Sequence, residues 1–187
     1  MSPSKRAVDL LGAALLLLLL APALPVLLTA VAVSARGPVL VPKPCTGAGG
    51  RPFRMLTFRV APGTRTGRLL HRHYLDHLPQ LVNVLRGEMS LVGPRPLPVD
   101  RILTGSARAR TSVRPGITGL WQTGGRSGLP WEEMAVQDLH YVREHWLGMD
   151  LKILVRTLST ARRGRPARAA TAGAPARVPR PQGLRQA

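Results

Sequence analysis

The sequence is poor in cysteine, aromatic residues and acidic residues, and each shortage narrows the range of functions. Its one cysteine, Cys45, excludes an internal disulfide framework and a cysteine-only metal site. Aromatic residues make up only 4% of the chain, too few for the stacking surfaces that bind single-stranded nucleic acid, so we expect no nucleic-acid partner. Nine acidic residues oppose 27 Lys and Arg, a formal charge of +18, which favours anionic lipids or nucleotide phosphates as partners. At 187 residues the chain can form one modest domain with its own core.

A nearly unbroken apolar run covers residues 10–33 and follows two basic residues. The run is long enough to cross a bilayer as a helix, but Pro22 and Pro25 predict a break in its middle. Because both flanks of the run are basic, we expect a re-entrant helix that enters and leaves on the cytoplasmic face. Residues 1–36 would then be a membrane anchor. The alternative is a cleaved signal peptide, since residues 30–32 have the small-residue spacing of a cleavage site.

The rest of the sequence predicts an α+β domain, mainly helical, over residues 37–160. Residues 36–63 are rich in Gly and Pro and indicate a loop with one strand at 52–60. Beyond residue 74, apolar residues recur at helical spacing and stop at Gly87. The remaining predicted segments are a polar connector at 103–112, helices at 130–145 and 149–160, and a disordered basic tail at 161–187.

The predicted helix at 149–160 is amphipathic, with Lys152 and Arg156 opposite its apolar face. Such a helix can lie in a membrane interface, although packing on the domain core explains the pattern equally well. We therefore expect a small cytoplasmic domain with amphipathic interfacial helices, held at the inner (plasma) membrane.

One acidic residue, Asp76, stands where a helix is expected to begin, with Pro79 in its first turn. A carboxylate there is stabilised in its ionised form by the helix dipole and by nearby cations such as Arg72. An ionised carboxylate can attack phosphorus as a nucleophile. The alternative is an aspartate that caps the helix.

Three arginines stand beside constrained or glycine-rich backbone, where a phosphate group can approach closely. Arg95 lies between two prolines in GPRP, Arg114 precedes Pro-Gly, and Arg126 follows Gly-Gly. A guanidinium on a rigid loop is a good bidentate phosphate ligand, so these side chains and Arg72 are candidate phosphate-binding residues. Each motif is common, and pairing with a carboxylate is an alternative role for Arg95.

Several separate blocks between residues 5 and 160 resemble one known family. They are KRAVDLLGA, SARGPVL, TGRLL, LDHLPQLVNVLRGEMSLVGPRP, VRPGITGLWQ and DLHYVREHWLGMDLKIL. They are similar to the monotopic phosphoglycosyl transferases, bacterial sugar transferases that start exopolysaccharide, capsule and glycan assembly. The resemblance implies that a UDP-sugar gives its phosphosugar to an active-site aspartate, which corresponds to Asp76. It further implies transfer to undecaprenyl (polyprenyl) phosphate, and a requirement for Mg²⁺.

The sequence departs from the family pattern at positions where chemistry is expected. His77 stands where the family's catalytic dyad has a glutamate that assists magnesium, and imidazole is a poor ligand for that hard ion. Glu88 is the nearest carboxylate in sequence that could support the metal instead. Tyr74 replaces the serine of a capping box, and Thr57 and Cys45 replace a lysine and an arginine. A segment of a few tens of residues is shortened to 60–63.

Three functions remain open. The first is an undecaprenyl-phosphate sugar phosphotransferase with Asp76 and His77 as its catalytic residues. The second is a non-catalytic relative that binds lipid phosphate or serves as a scaffold in glycan assembly. The third is a secreted basic protein that binds polyanions. The expected partners are a UDP-sugar, polyprenyl phosphate and the cytoplasmic leaflet of the membrane, and a homo-oligomer is left open.

Overall fold

The computed structural model describes residues 2–99, 105–123 and 131–164. This part of the chain is mainly helical with small sheets, which confirms the predicted mainly helical class. The helices are α1 (Pro3–Leu20), α2 (Leu24–Ser34), α3 (Arg65–Arg72), α4 (Gln80–Arg86), α5 (Gly105–Arg110), α6 (Leu120–Thr123), α7 (Trp131–Glu144) and α8 (Leu147–Arg163). The strands are β1 (Leu40–Thr46), β2 (Pro52–Phe58), β3 (Ser90–Val92), β4 (Leu97–Pro98) and β5 (Gly116–Thr118).

The apolar N-terminal run forms two helices, α1 and α2, bent by 73° at residues 21–23. Pro22 lies in the break, and Pro25 lies in the first turn of α2, where its missing N–H disrupts no helical hydrogen bond. The predicted break is therefore confirmed. Within the described ranges neither helix alone is long and apolar enough to cross a bilayer, whereas the bent pair meets that test by length and composition only.

Buried polar contacts tie the start of α1 to the last helix of the domain. Lys5 Nζ donates to Asp150 Oδ2 at 2.7 Å and to Val92 O at 3.2 Å. The Tyr141 hydroxyl lies 2.7 Å from Asp150 Oδ1. Burial raises the pKa of Tyr141, and the bond to Asp150 raises it further, so the phenol keeps its proton and donates. α1 and α8 are thus joined by an ion pair in the core.

A second buried carboxylate fixes α1 against strand β3. Asp9 accepts hydrogen bonds from Ser90 Oγ at 2.8 Å and from Leu91 N at 3.0 Å. One turn further along α1, Ala13 is fully buried in the same core as Tyr141. The N-terminal helix is therefore a packed element of the domain as well as a candidate anchor.

The sheets are small, and of the five strands in the described residues only β2 was predicted from the sequence. β1 pairs antiparallel with β2 in the register Leu40↔Phe58, and β4 pairs with β1 at Cys45 and Thr46 only. β1 carries Pro42 and Pro44, which led us to expect a loop. These prolines are two residues apart, so their missing N–H groups point to one edge, and that edge of β1 has no partner strand beside them among the described residues.

Helix boundaries follow the sequence closely in some places and not in others. α7 matches the helix predicted at 130–145, and α8 extends the helix predicted at 149–160 to Leu147–Arg163. The predicted disordered tail at 161–187 overlaps the end of α8, and from residue 165 onwards it lies outside the described residues. α4 begins only at Gln80 and ends at Gly87, whose φ of 85° requires glycine. The connector predicted at 103–112 was wrong, since it contains α5, which Ala and Arg residues favour.

The outer face of α8 exposes large apolar side chains. Leu151, Val155 and Leu158 are each about two-thirds exposed, at 64%, 64% and 67%, while Ile153 is buried in the core. One side of α8 therefore packs on the domain, as one of the two alternatives predicted, and the other side presents an apolar stripe to its surroundings. The location of this stripe in a membrane interface stays a prediction.

Candidate active site

Asp76 lies in a single 3₁₀ turn, Leu75–His77, between α3 and α4. Tyr74 precedes the turn with a φ of 60°, the left-handed region that residues other than glycine seldom adopt. The residue Asp76 is only 9% exposed, and its Oδ2 lies 3.7 Å from His77 Nε2 and 3.9 Å from His71 Nδ1. Its Oδ1 is buried and has no hydrogen-bond partner among the described residues. The turn thus holds a carboxylate oxygen with unused lone pairs.

Two imidazoles surround this carboxylate, and only one of them was singled out from the sequence. We expected Arg72 to be the neighbouring cation, but Arg72 is exposed at the end of α3 and the contacts to Asp76 come from His71 and His77. The segment HRHYLDH already contained this information, because His71 stands five residues before Asp76 and His77 stands one residue after it.

The hydrogen bond between Gln80 and His77 determines which ring nitrogen of His77 carries the proton. Gln80 Nε2 lies 2.7 Å from His77 Nδ1, and an amide nitrogen can only donate. Nδ1 is therefore the acceptor, and the proton of neutral His77 is on Nε2, the atom nearest Asp76 Oδ2. Gln80 is itself 2% exposed, so the packing of α4 fixes this orientation.

The GPRP loop and the RPG block are in direct backbone contact. Gly116 N donates to Pro94 O at 2.9 Å. A Cβ on Gly116 would lie 2.0 Å from Gly93 N, so only glycine permits this approach. Arg95 is exposed on one loop and Arg114 is half-buried on the other. The structure therefore brings together the loops of two predicted phosphate-binding arginines, while Arg126 lies outside the described residues.

A buried ion pair holds the backbone of the GPRP loop. Arg110 Nη2 pairs with Asp138 Oδ2, and both side chains are almost completely buried, at 3% and 1% exposure. Arg110 also donates to Arg95 O at 3.1 Å, and Arg95 N donates to Asp138 at 3.2 Å. Burial raises the pKa of Asp138 to about 6, although Arg110 opposes the shift. Sequence reasoning missed both residues, because nothing in the sequence indicates that α5 and α7 pack together.

The described residues do not form a dedicated magnesium site. Among them, no group of three or more His, Cys, Asp or Glu side chains is arranged to hold a metal ion. Glu88 Oε2 accepts a hydrogen bond from Asn83 Nδ2 at 2.5 Å, and Asp76 is flanked by imidazoles. A hard ion such as Mg²⁺ prefers oxygen ligands. The expected roles of Mg²⁺ and of Glu88 therefore stay predictions.

Comparison with known proteins identifies the family. The family model described as bacterial sugar transferase matches residues 1–164. The chain belongs to the bacterial sugar transferase family.

The chain is similar to several named bacterial proteins. The UDP-glucose:undecaprenyl-phosphate glucose-1-phosphate transferase of Caulobacter vibrioides is 40% identical over 181 residues, covering 82% of this chain and 68% of the relative. The uncharacterized sugar transferase EpsL of Bacillus subtilis is 36% identical over 171 residues, covering 82% and 85%. The Escherichia coli protein with the same name as the Caulobacter protein is 37% identical over 181 residues, covering 82% of this chain but only 39% of that longer protein.

Two positions at which the sequence analysis expected a departure from the family pattern are buried in the β1–β2 pair. Thr57 is 2% exposed, and its hydroxyl donates to Val41 O at 3.2 Å. Cys45 is 6% exposed and pairs with Phe53 across β1 and β2. Neither side chain carries a positive charge.

Proposed function

We propose that this protein transfers a phosphosugar from a UDP-sugar to undecaprenyl phosphate through a covalent intermediate on Asp76. The observation that carries the proposal is the buried Asp76 Oδ1, which has no hydrogen-bond partner in the described ranges. It lies on the turn that corresponds to the family's catalytic dyad. The names of the relatives from Caulobacter and Escherichia coli support the same reaction class.

In the first step an Asp76 oxygen attacks the phosphorus that bears the sugar. An oxygen–phosphorus bond forms to the carboxylate, the bond to the nucleotide's other phosphate breaks, and uridine monophosphate leaves. In the second step a phosphate oxygen of undecaprenyl phosphate attacks the same phosphorus. The aspartyl bond breaks, the carboxylate is regenerated, and the product is an undecaprenyl diphosphate sugar.

His77 and His71 orient the nucleophile in this scheme. Their nitrogens lie 3.7 and 3.9 Å from Asp76 Oδ2, slightly beyond hydrogen-bond distance, so a small closure of the turn would make both contacts. Both imidazoles face Oδ2, so Oδ1 is the carboxylate oxygen left without a hydrogen-bond partner among the described residues. A protonated His71 would also attract the diphosphate.

The arginines act on charge in the transition state. Arg95 and Arg114 stand on the joined loops, and their guanidinium groups would stabilise the oxygens of the transferring phosphoryl group. Arg72 and Arg126 are further candidates for the nucleotide phosphates. The Arg110–Asp138 pair positions Arg95 without contacting the substrate.

We place the protein at the cytoplasmic face of the inner membrane. The bent α1–α2 pair exposes leucines such as Leu11 and Leu18, each 72% exposed, and α8 exposes its apolar stripe with Lys152 and Arg156 nearby. The signal-peptide alternative is disfavoured, because cleavage near residue 32 would remove the buried Lys5 and leave Asp150 without its ion-pair partner.

Release of uridine monophosphate tests the function. Membrane-extracted protein is mixed with a panel of UDP-sugars, undecaprenyl phosphate and Mg²⁺, beside an Asp76→Asn variant shown to be folded. We expect release that depends on Asp76, and the responding donor would identify the sugar. Release that persists in the variant would refute the covalent role.

A non-catalytic role is the second candidate, and His77 in place of a glutamate is the observation that favours it. The same assay separates the two candidates. Folded wild-type protein that binds undecaprenyl phosphate but releases no nucleotide from any donor would establish the second one.

A further inference from the structure

An apolar cavity of about 230 Å³ lies beside the Asp76 turn. Its walls come from the last turns of α1, from the turn itself, from β3 and β5, and from one side of α8. Leu16 and Leu20 form the α1 wall and Leu154 contributes from α8. Tyr74 and His77, on either side of Asp76 in the turn, also line the cavity. The lining surface is almost entirely apolar, and the cavity is partly open to the outside.

The size and chemistry of this cavity suit an apolar chain better than water. An apolar cavity of about 150 Å³ in another protein stays dry and binds benzene, so one of 230 Å³ has room for one or two isoprene units. The hydroxyls of Thr118 and Thr157, which line it, are hydrogen-bonded to each other at 2.7 Å. These two hydroxyls therefore need no hydrogen bond from a ligand in the cavity.

Two parts of the cavity wall differ in a way that orients an amphiphile. Residues on both sides of Asp76 line one part. Leu16 and Leu20 of α1 line another part, and their neighbours Leu15 and Leu19 are exposed by 56% and 65%. A molecule with a phosphate head and a long apolar tail would place its head at the carboxylate and lead its tail out along α1.

We propose that this cavity receives the isoprene units nearest the phosphate of the polyprenyl phosphate acceptor. The inference rests on the proposed function, since it assigns a subsite for the second substrate of that reaction. The cavity would fix the direction from which the acceptor phosphate reaches the aspartyl intermediate. Only the first units would be enclosed, and the rest of the chain would stay in the bilayer.

Filling the cavity from α8 tests the proposal with a matched control on the same helix. Leu154→Trp places an indole in the cavity, whereas Leu151→Trp adds the same group on the outer face, where Leu151 is 64% exposed. Ala161→Phe fills the cavity from its edge and serves if Leu154→Trp does not fold. All variants are prepared as full chains in nanodiscs.

The readout separates the two half-reactions. Single-turnover nucleotide release without acceptor, from the UDP-sugar that responds in the panel, should be unchanged in all variants. The value of kcat/KM for undecaprenyl phosphate should fall about tenfold or more in the cavity variants and stay near wild type in Leu151→Trp. Equal effects of the cavity variants and the control would overturn the proposal while leaving the proposed function intact.

A photolabelling experiment tests binding in the cavity without any turnover. A diazirine-bearing farnesyl phosphate should label α1 and α8 in the wild type, and Leu154→Trp should abolish the labelling. Undecaprenyl phosphate should compete, whereas phosphatidylglycerol should not. Labelling elsewhere, or equal competition by the phospholipid, would refute an acceptor site. If the wild type releases no nucleotide, the proposed function fails and this experiment still judges the cavity.

Discussion

Replacement of Lys5 by methionine should strongly destabilise the protein, although Lys5 lies far from Asp76 in the sequence. The Lys5 ammonium lies 2.7 Å from Asp150 Oδ2 and 4.0 Å from Asp9 Oδ1, and all three side chains are at most 7% exposed. Methionine fills a similar volume but leaves the buried carboxylates of Asp9 and Asp150 without a cation partner among the described residues. Removing one partner of a buried ion pair costs about 3–5 kcal/mol, so the melting temperature should fall by roughly 6–20 °C in a chain of this size.

The single cysteine provides the assay. Cys45 is 6% exposed, and burial raises the pKa of its thiol although Lys43 opposes the shift, so it reacts slowly while the protein is folded. A thiol-reactive dye then reports unfolding as the temperature rises. Lys152→Met is the control, because Lys152 is exposed on α8 and lacks a buried partner in the described residues.

A double variant tests the physical reason for the loss. Lys5→Met combined with Asp150→Asn removes the pair together, so it should be less unstable than the sum of the two single changes by about 1 kcal/mol or more. A Lys5→Met protein that melts within about 3 °C of the Lys152→Met control would refute a stabilising buried pair.

Three further predictions concern the site and its support. His77→Glu should lower the Mg²⁺ concentration for half-maximal nucleotide release about tenfold, because it adds a hard oxygen ligand beside Asp76; an unchanged magnesium titration would contradict this. The pKa of Asp138 is raised from 3.8 to about 6, so its contribution to the free energy of unfolding is present below pH 4 and is lost as pH rises through 6. The loss should be roughly 3 kcal/mol, and Asp138→Asn should not show it when denaturant unfolding is compared across that pH range. Gly116→Ala should cost about 1–3 kcal/mol, since its Cβ would lie 2.0 Å from Gly93 N, and an unchanged Cys45 melting curve would count against that contact.

The sequence was most informative where local chemistry determines structure. Pro22 breaks the apolar run because a proline removes a backbone donor whatever surrounds it. Gly87 ends α4 because its φ of 85° suits glycine. Such features depend on a few adjacent residues and can be predicted from them. β1 was not predicted because Pro42 and Pro44 lack a backbone donor, which argues against a strand unless the proline edge has no partner strand. Which edge of a strand lacks a partner is a property of the whole sheet and not of the adjacent residues.

The candidate site could be predicted only in part, because some of its contacts join residues that are far apart in the sequence. Asp76 and Arg95 stand in motifs that can be recognised along the chain. The ion pair that supports Arg95 joins Arg110 to Asp138, on separate helices 28 residues apart in sequence, and no local pattern predicts that contact. His71 was within reach of sequence reasoning, but its position depends on the left-handed backbone of Tyr74, which only the structure reveals.

The contact between Lys5 and Asp150 spans 145 residues and has a consequence for biosynthesis. The ribosome makes α1 well before α8, so at the membrane location proposed above α1 would arrive before the counter-charge of Lys5 exists. During that interval Lys5 would have to remain hydrated, which would keep the start of α1 at the water boundary and oppose deep insertion. In a membrane-bound protein of this fold, the order of synthesis would itself favour shallow, one-sided insertion.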